Sequence, residues 1–192
     1  DYGADVNQAD NDGGTALTAA AQFGHLDIVN KLIDARSDVN QADNLGVTAL
    51  MTAAFSCHLN IVNNLIEVGA DVNKRNDKGT TALIYAAQLG YLEIVTKLIN
   101  TGASVNQVDK HGSTALMNAA QFGHLEIVTT LIEAGANVDL VNNLGGTALM
   151  IVALHGHLDV VSRLIDAGAN VNLANNLGRT ALMYAADKGH LD

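Results

Sequence analysis

A chain of 192 residues with a formal net charge of −10, 48 % apolar residues, no tryptophan and no proline already excludes several classes of protein. The acidic balance argues against a nucleic-acid-binding module, which carries a basic face. Cys57 stands alone, so neither an internal disulfide nor a cysteine-built metal site can form, and no run of about 18 apolar residues marks membrane insertion. One cysteine fits a reducing, cytoplasmic setting and leaves a secreted or extracellular one open.

Gly13, Gly46, Gly79, Gly112, Gly145 and Gly178 stand 33 residues apart, and each opens nearly the same run. A period of that length is the mark of stacked repeats, and every other feature is read through it. Residues 1–9 are the tail of one unit, five complete units follow (10–42, 43–75, 76–108, 109–141 and 142–174), and 175–192 are the first half of another. The chain is therefore expected to be a single array, 1–192, excerpted from a longer one.

Each unit predicts two helices. In the fourth, Thr114 is a suitable N-cap and the first helix runs over Ala115–Phe122, with Leu116, Ala119 and Ala120 on one apolar stripe. Gly123 ends it in the left-handed conformation. The second helix covers Leu125–Ala134, its buried face carrying Leu125, Val128, Leu131 and Ile132, with Glu126 at its positive end. Elsewhere the same acid has a basic residue four positions on: Asp27–Lys31, Glu93–Lys97 and Asp159–Arg163. Gly135-Ala136 then leads into an extended stretch, Asn137-Val138-Asp139, and a turn around Asn142–Gly145. Helices this short are unstable alone, so the array is the folding unit.

The pattern Gly-x-Thr-Ala-Leu-x-x-Ala-Ala-x-x-Gly-His-Leu-x-Ile-Val-x-x-Leu-Ile-x-x-Gly-Ala-x-Val-Asn resembles the ankyrin repeat across the whole chain. In the third unit it is carried by Gly79, Thr81, Ala82, Leu83, Ala86, Ala87, Gly90, Leu92, Ile94, Val95, Leu98, Ile99, Gly102, Ala103, Val105 and Asn106. The resemblance implies an all-α solenoid of stacked helix-turn-helix units with projecting β-hairpin loops. Two departures are systematic. The family's proline is Ala16, Ala49, Ala82, Ala115, Ala148 or Ala181, and its next histidine is Thr18, Met51, Ile84, Met117, Met150 or Met183. Alanine is the best helix former, and the second change leaves mainly apolar packing. Two more are local: Arg36 and Cys57 stand where the other units have glycine.

No nucleophile elbow, phosphate-binding glycine loop or His-Glu-x-x-His motif is present, so no enzymatic activity, cofactor or metal is expected. The histidines His25, His58, His124, His157 and His190 recur with the period. Stacked helices sit about 8–10 Å apart, too far for one metal to join successive copies, and the resemblance gives these residues a structural place at a helix start. Lys74, Arg75 and Lys78, with Lys110 one unit on, read as a solvated tip before a phosphate site. The asparagine of the repeated Val-Asn pair (Asn7, Asn40, Asn73, Asn106, Asn172) matches one that is hydroxylated in some ankyrin proteins; its expected role here is a bond across the hairpin.

What remains is surface. The resemblance implies that a protein partner meets the hairpin tips and the exposed ends of the first helices. The tips carry Asn44, Leu45, Val47, Asp77, Lys78, Thr80, Lys110, His111, Ser113, Asn143, Leu144, Asn176, Leu177 and Arg179. The helix ends carry Gln22, Phe23, Phe55, Gln88, Leu89, Gln121, Phe122, Leu154 and His155, among which Phe23, Leu89 and Phe122 form a candidate apolar stripe. Asn-Leu-Gly recurs at 44–46, 143–145 and 176–178, which fits recent duplication or a repetitive partner, another copy of this chain included. The expected function is a non-enzymatic interaction scaffold. The alternative is a structural protein whose uncapped ends stack head to tail into a filament.

The two missing glycines generate a prediction. If Arg36 and Cys57 keep positive φ, each costs about 1 kcal/mol relative to glycine. Amides of residues 30–60 are then expected to exchange hydrogen faster than those of the units further along, as measured by native-state hydrogen exchange.

Overall fold

The computed structural model describes residues 3–190; Asp1, Tyr2, Leu191 and Asp192, at the outer edges of the two partial units, lie outside the described residues. Among the described residues there are eleven helices and no strand. The first helices of successive units are α1 (Ala16–Gln22), α3 (Ala49–Phe55), α5 (Ala82–Leu89), α7 (Ala115–Gln121), α9 (Ala148–His155) and α11 (Ala181–Lys188). The second helices are α2 (Leu26–Asp34), α4 (Leu59–Glu67), α6 (Leu92–Asn100), α8 (Leu125–Glu133) and α10 (Leu158–Asp166). Each first helix from α1 to α9 packs on its own second helix, and successive first helices pack on one another through α11, so the chain is a one-dimensional stack.

Every first helix starts the same way. Thr15, Thr48, Thr81, Thr114, Thr147 and Thr180 are extended N-caps whose hydroxyls accept from the amide three residues on, at 3.2–3.4 Å. The cap satisfies one of the donors that a helix start leaves free. Thr18, in the first unit, returns a bond from the Thr15 amide and closes a capping box. In the column where Thr18 stands, Met51, Ile84, Met117 and Met150 are buried, as their apolar character requires. The alanine pairs Ala53–Ala54, Ala86–Ala87 and Ala119–Ala120 are completely buried, and side chains this small let adjacent helices pack closely.

The helices end slightly earlier than the pattern predicts. α7 stops at Gln121 with Phe122 as its C-cap, and α8 stops at Glu133. The turn after α7 is closed by the His124 amide bonding the Ala119 carbonyl at 3.0 Å, with Gly123 at φ 72°. In α8 the fully buried positions are Ile127, Val128 and Leu131, whereas Leu125 and Ile132 are half-buried. The buried face is rotated toward the residue after Glu126, because the helix faces its own first helix and both neighbouring second helices at once. The expected pairs Asp27–Lys31, Glu93–Lys97 and Asp159–Arg163 are not closed: among the described residues the ion pair is Arg179–Asp187. Exposed pairs of this kind gain too little from contact to hold two long side chains in place.

The projecting loops are also simpler than β-hairpins. They are tight turns, and pairing is confined to isolated antiparallel bridges, Ala42 with Thr48 and Val108 with Thr114.

Arg36 and Cys57 both adopt positive φ, 67° and 62°. Their surroundings differ. A Cβ on the glycines equivalent to Arg36 (Gly69, Gly102, Gly135, Gly168) meets nothing within 4 Å. A Cβ on Gly123, in the Cys57 column, falls 2.7 Å from the His157 ring. Gly135→Ala is therefore expected to cost about 1 kcal/mol, the backbone strain alone. Gly123→Ala adds a clash and should cost roughly 2–3 kcal/mol. Urea denaturation of the two variants checks the difference.

Candidate interaction surface

The tips are built from the inside of each turn outward. In every unit an Asp or Asn side chain accepts two amides of its own turn. Asp10 Oδ1 takes those of Asp12 and Gly14, Asp43 those of Leu45 and Val47, and Asn76 those of Lys78 and Thr80. Asp109 takes those of His111 and Ser113, Asn142 those of Leu144 and Gly146, and Asn175 those of Leu177 and Arg179. A side-chain oxygen thus does the work of a turn's backbone acceptor.

The tips are then tied to one another. One backbone bond crosses each interface: the Asn44 amide to Asp12, Asp77 to Leu45, Lys110 to Lys78, Asn143 to His111 and Asn176 to Leu144, at 2.8–3.1 Å. Where the unit offers an asparagine, its side chain doubles the link. Asn44 Nδ2 donates to the Asn11 carbonyl, Asn143 to Lys110 and Asn176 to Asn143. Asp77 and Lys110 stand in the same column without an amide to give.

A second line of clips uses the Val-Asn asparagines. Asn40, Asn73 and Asn106 accept from the amides of Asp71, Ser104 and Asn137, and donate to the carbonyls of Gly69, Gly102 and Gly135. These bonds join consecutive units, 29 and 31 residues apart, rather than spanning one hairpin as expected. Asp139 follows Asn106 in the line; its Oδ1 accepts from the Asn170 amide, but a carboxylate has nothing to donate to Gly168. Lys74 and Arg75 are drawn into the same network, bonding the carbonyls of Asn40 and Val108. They are thus engaged at unit interfaces, Lys74 half-buried and Arg75 still exposed, while Lys78 and Lys110 are exposed at the tips.

The sequence-predicted surface residues divide accordingly. Leu45, Leu144 and Leu177 project from the tips at 65, 73 and 81 % exposure, and Asp77, Lys78, Lys110 and His111 are exposed beside them. Asn44, Asn143 and Asn176 are exposed, yet their amides are committed to the preceding unit. Val47 packs on the core and Ser113 is half-buried. Thr80 does not belong to the surface: it is 8 % exposed, folded under a turn that Asn76 holds closed. Arg179 is half-buried, paired with Asp187 and lying 4.6 Å over the Tyr184 ring. The hydrogen bond to Asp187 holds its guanidinium above its ordinary pKa.

At the helix ends Phe23, Phe55 and Phe122 are 66, 53 and 48 % exposed, His155 is exposed, and Gln88, Leu89, Gln121 and Leu154 are half-buried. The Phe23 and Phe122 rings lie 6.2 Å from His25 and His124 of their own units. The Phe23–Leu89–Phe122 column is interrupted by Ser56 and His155. Phe55 belongs to the column one residue earlier and meets Tyr85 of the next unit edge-on at 5.4 Å. Tyr85, in turn, accepts from Asn76 at 2.9 Å. Sequence reasoning missed Tyr85 and Tyr184; their shared column (Ala19, Thr52, Tyr85, Asn118, Ile151, Tyr184) varies while its neighbours repeat, and that variation was the available signal.

Among the described residues no group of three or more His, Cys, Asp or Glu side chains is arranged to hold a metal ion. The recurrent histidines bond backbone instead: His58, His124 and His157 place Nε2 3.1 Å from the carbonyls of Gln22, Gln88 and Gln121 in the preceding unit. A carbonyl only accepts, so Nε2 carries the proton. The cavity of about 640 Å³ beside α11 is lined by Leu149, Leu158, Val161, Ile165, Leu182 and Ala185. It lies where, between inner units, the following second helix packs.

This geometry defines a helical-repeat solenoid with a tied ridge of tips and no reactive cluster among the described residues. The family model described as ankyrin repeats (3 copies) matches residues 2–76, 61–142 and 135–192. The chain belongs to the ankyrin-repeat family. Ankyrin repeats are generally protein–protein interaction modules, typically non-enzymatic, and they bind protein partners. No curated protein matches the chain. No helix among the described residues is long and apolar enough to cross a membrane.

The Asp139 position tests the clips. Asp139→Asn supplies the missing donor to Gly168 and is expected to stabilise the chain by about 0.5–1 kcal/mol, while Asn106→Ala removes two bonds and costs about 1–2 kcal/mol. Equilibrium urea unfolding measures both.

Proposed function

We propose that this chain is a non-enzymatic scaffold whose partner protein lies along the ridge of tips and the adjoining ends of the first helices. The carrying observation is the exposure of Phe23, Phe55 and Phe122 at those helix ends and of Leu45, Leu144 and Leu177 at the tips. These side chains stand on backbone whose own hydrogen bonds are already used within and between units. A partner therefore gains apolar contact without having to order the loops that present it, and such preorganisation favours binding. Aromatic anchors surrounded by polar groups are where interface energy concentrates. Phe23, Leu89 and Phe122 serve as the apolar anchors, with Lys78, Lys110 and His111 supplying polar contacts between them.

Purification of the partner from native material, followed by calorimetry, provides the test. Replacing Phe23, Leu89 and Phe122 together by Ser is expected to weaken binding by roughly 30-fold or more. Replacing Glu93 and Lys97, on the opposite wet face, should leave it unchanged. Full affinity in the triple variant would reject the anchor assignment.

A further inference from the structure

We propose that Cys57 and Tyr91 form a steric key that dictates stacking order: unit 43–75 accepts unit 76–108 above it and rejects any unit that carries histidine in the Tyr91 column. The inference is independent of which partner the array binds.

Four other interfaces define the lock. The glycine that ends each first helix lies under the histidine of the following unit, so closely that an added Cβ would sit inside the ring's contact distance. The separation would be 2.7 Å for Gly24 and His58, 2.8 Å for Gly90 and His124, 2.7 Å for Gly123 and His157, and 2.5 Å for Gly156 and His190. The ring is not free to step aside. At three of these interfaces its Nε2–H donates to the carbonyl two residues before that glycine, on Gln22, Gln88 or Gln121. Moving the ring away from a Cβ would break that bond and leave a half-buried polar group unpaired.

Cys57 is the one residue in this column with a Cβ, and it keeps the glycine conformation, φ 62°. Tyr91 is the one residue in the histidine column that is not histidine. The two exceptions meet at the same interface. Among the described residues the Tyr91 side chain makes no hydrogen bond to the Phe55 carbonyl that a histidine would take, and Phe55 contacts Tyr85 of the same neighbour instead. Each departure would be costly alone; together they make a pair that no other two units share.

An array of near-identical units has a problem that such a pair solves. Units that share Asn-Leu-Gly tips and Gln-Phe-Gly-His-Leu helix ends can stack out of order or exchange between molecules, a characteristic failure of repeat proteins. A clash against wrong neighbours discriminates where attraction does not.

The test is a cycle of full-length variants (Cys57→Gly, Tyr91→His and both), unfolded by urea under reducing conditions. Tyr91→His alone is expected to lower the folding constant about tenfold, because the ring meets the Cys57 Cβ. With Cys57→Gly in place, the same change should raise the constant about fivefold, because the bond to Phe55 becomes available. Equal effects of Tyr91→His in the two backgrounds would overturn the key. Transplantation guards against a variant that fails to fold. Gly123→Cys should lose stability, and adding His157→Tyr should recover most of it; failure of that rescue would also overturn the proposal.

Discussion

No helix among the described residues is long enough to hold itself together, and that constraint shapes everything else. Segments of seven to nine residues gain too few hydrogen bonds to offset nucleation. Their stability must come from contact with neighbours on both sides. The first helices answer with alanine pairs that let them stack at close range. The turns answer with side-chain acceptors that fold each loop before it meets the next. Asparagine, histidine and threonine recur because each closes a backbone group that a short helix or tight turn leaves open.

Most of this was legible in the sequence because the period repeats the same physical solution. Threonine before an alanine-leucine pair announced the cap, and glycine after the second helix announced the left-handed turn. Two non-glycine residues could be marked in advance, and both proved to hold positive φ. What period alone could not reveal was direction. Whether an asparagine bonds within its own hairpin or reaches the next unit depends on where the stack places the following loop, and the structure places it within reach. The rotation of the second helix, which buries Ile127 ahead of Leu125, likewise follows from packing on three helices at once.

The surface was less readable for a related reason. A column of the repeat contains residues that project and residues that hold the stack, and sequence presents them alike. Leu45 and Asn44 are adjacent at one tip; the leucine is free to contact a partner, whereas the asparagine amide is engaged with Asn11. Thr80 looked like Val47 and Ser113, but the Asn76 turn covers it. Tyr85 escaped notice because its column had no repeated identity to attract attention.

The ties between tips have a mechanical consequence. Every interface carries its own bonds, and the load path from one end of the stack to the other runs through all of them in turn. Links in series share one force, so a pull along the axis is resisted only as strongly as the least well-tied interface resists it. Adding units lengthens such a spring without strengthening it. The doubled asparagine link joins Asn44 to Asn11, Asn143 to Lys110 and Asn176 to Asn143, while Asp77 and Lys110 leave their tips with the backbone bond alone. Along the ridge of tips, the links are thereby firmer at both ends of the array than at its centre.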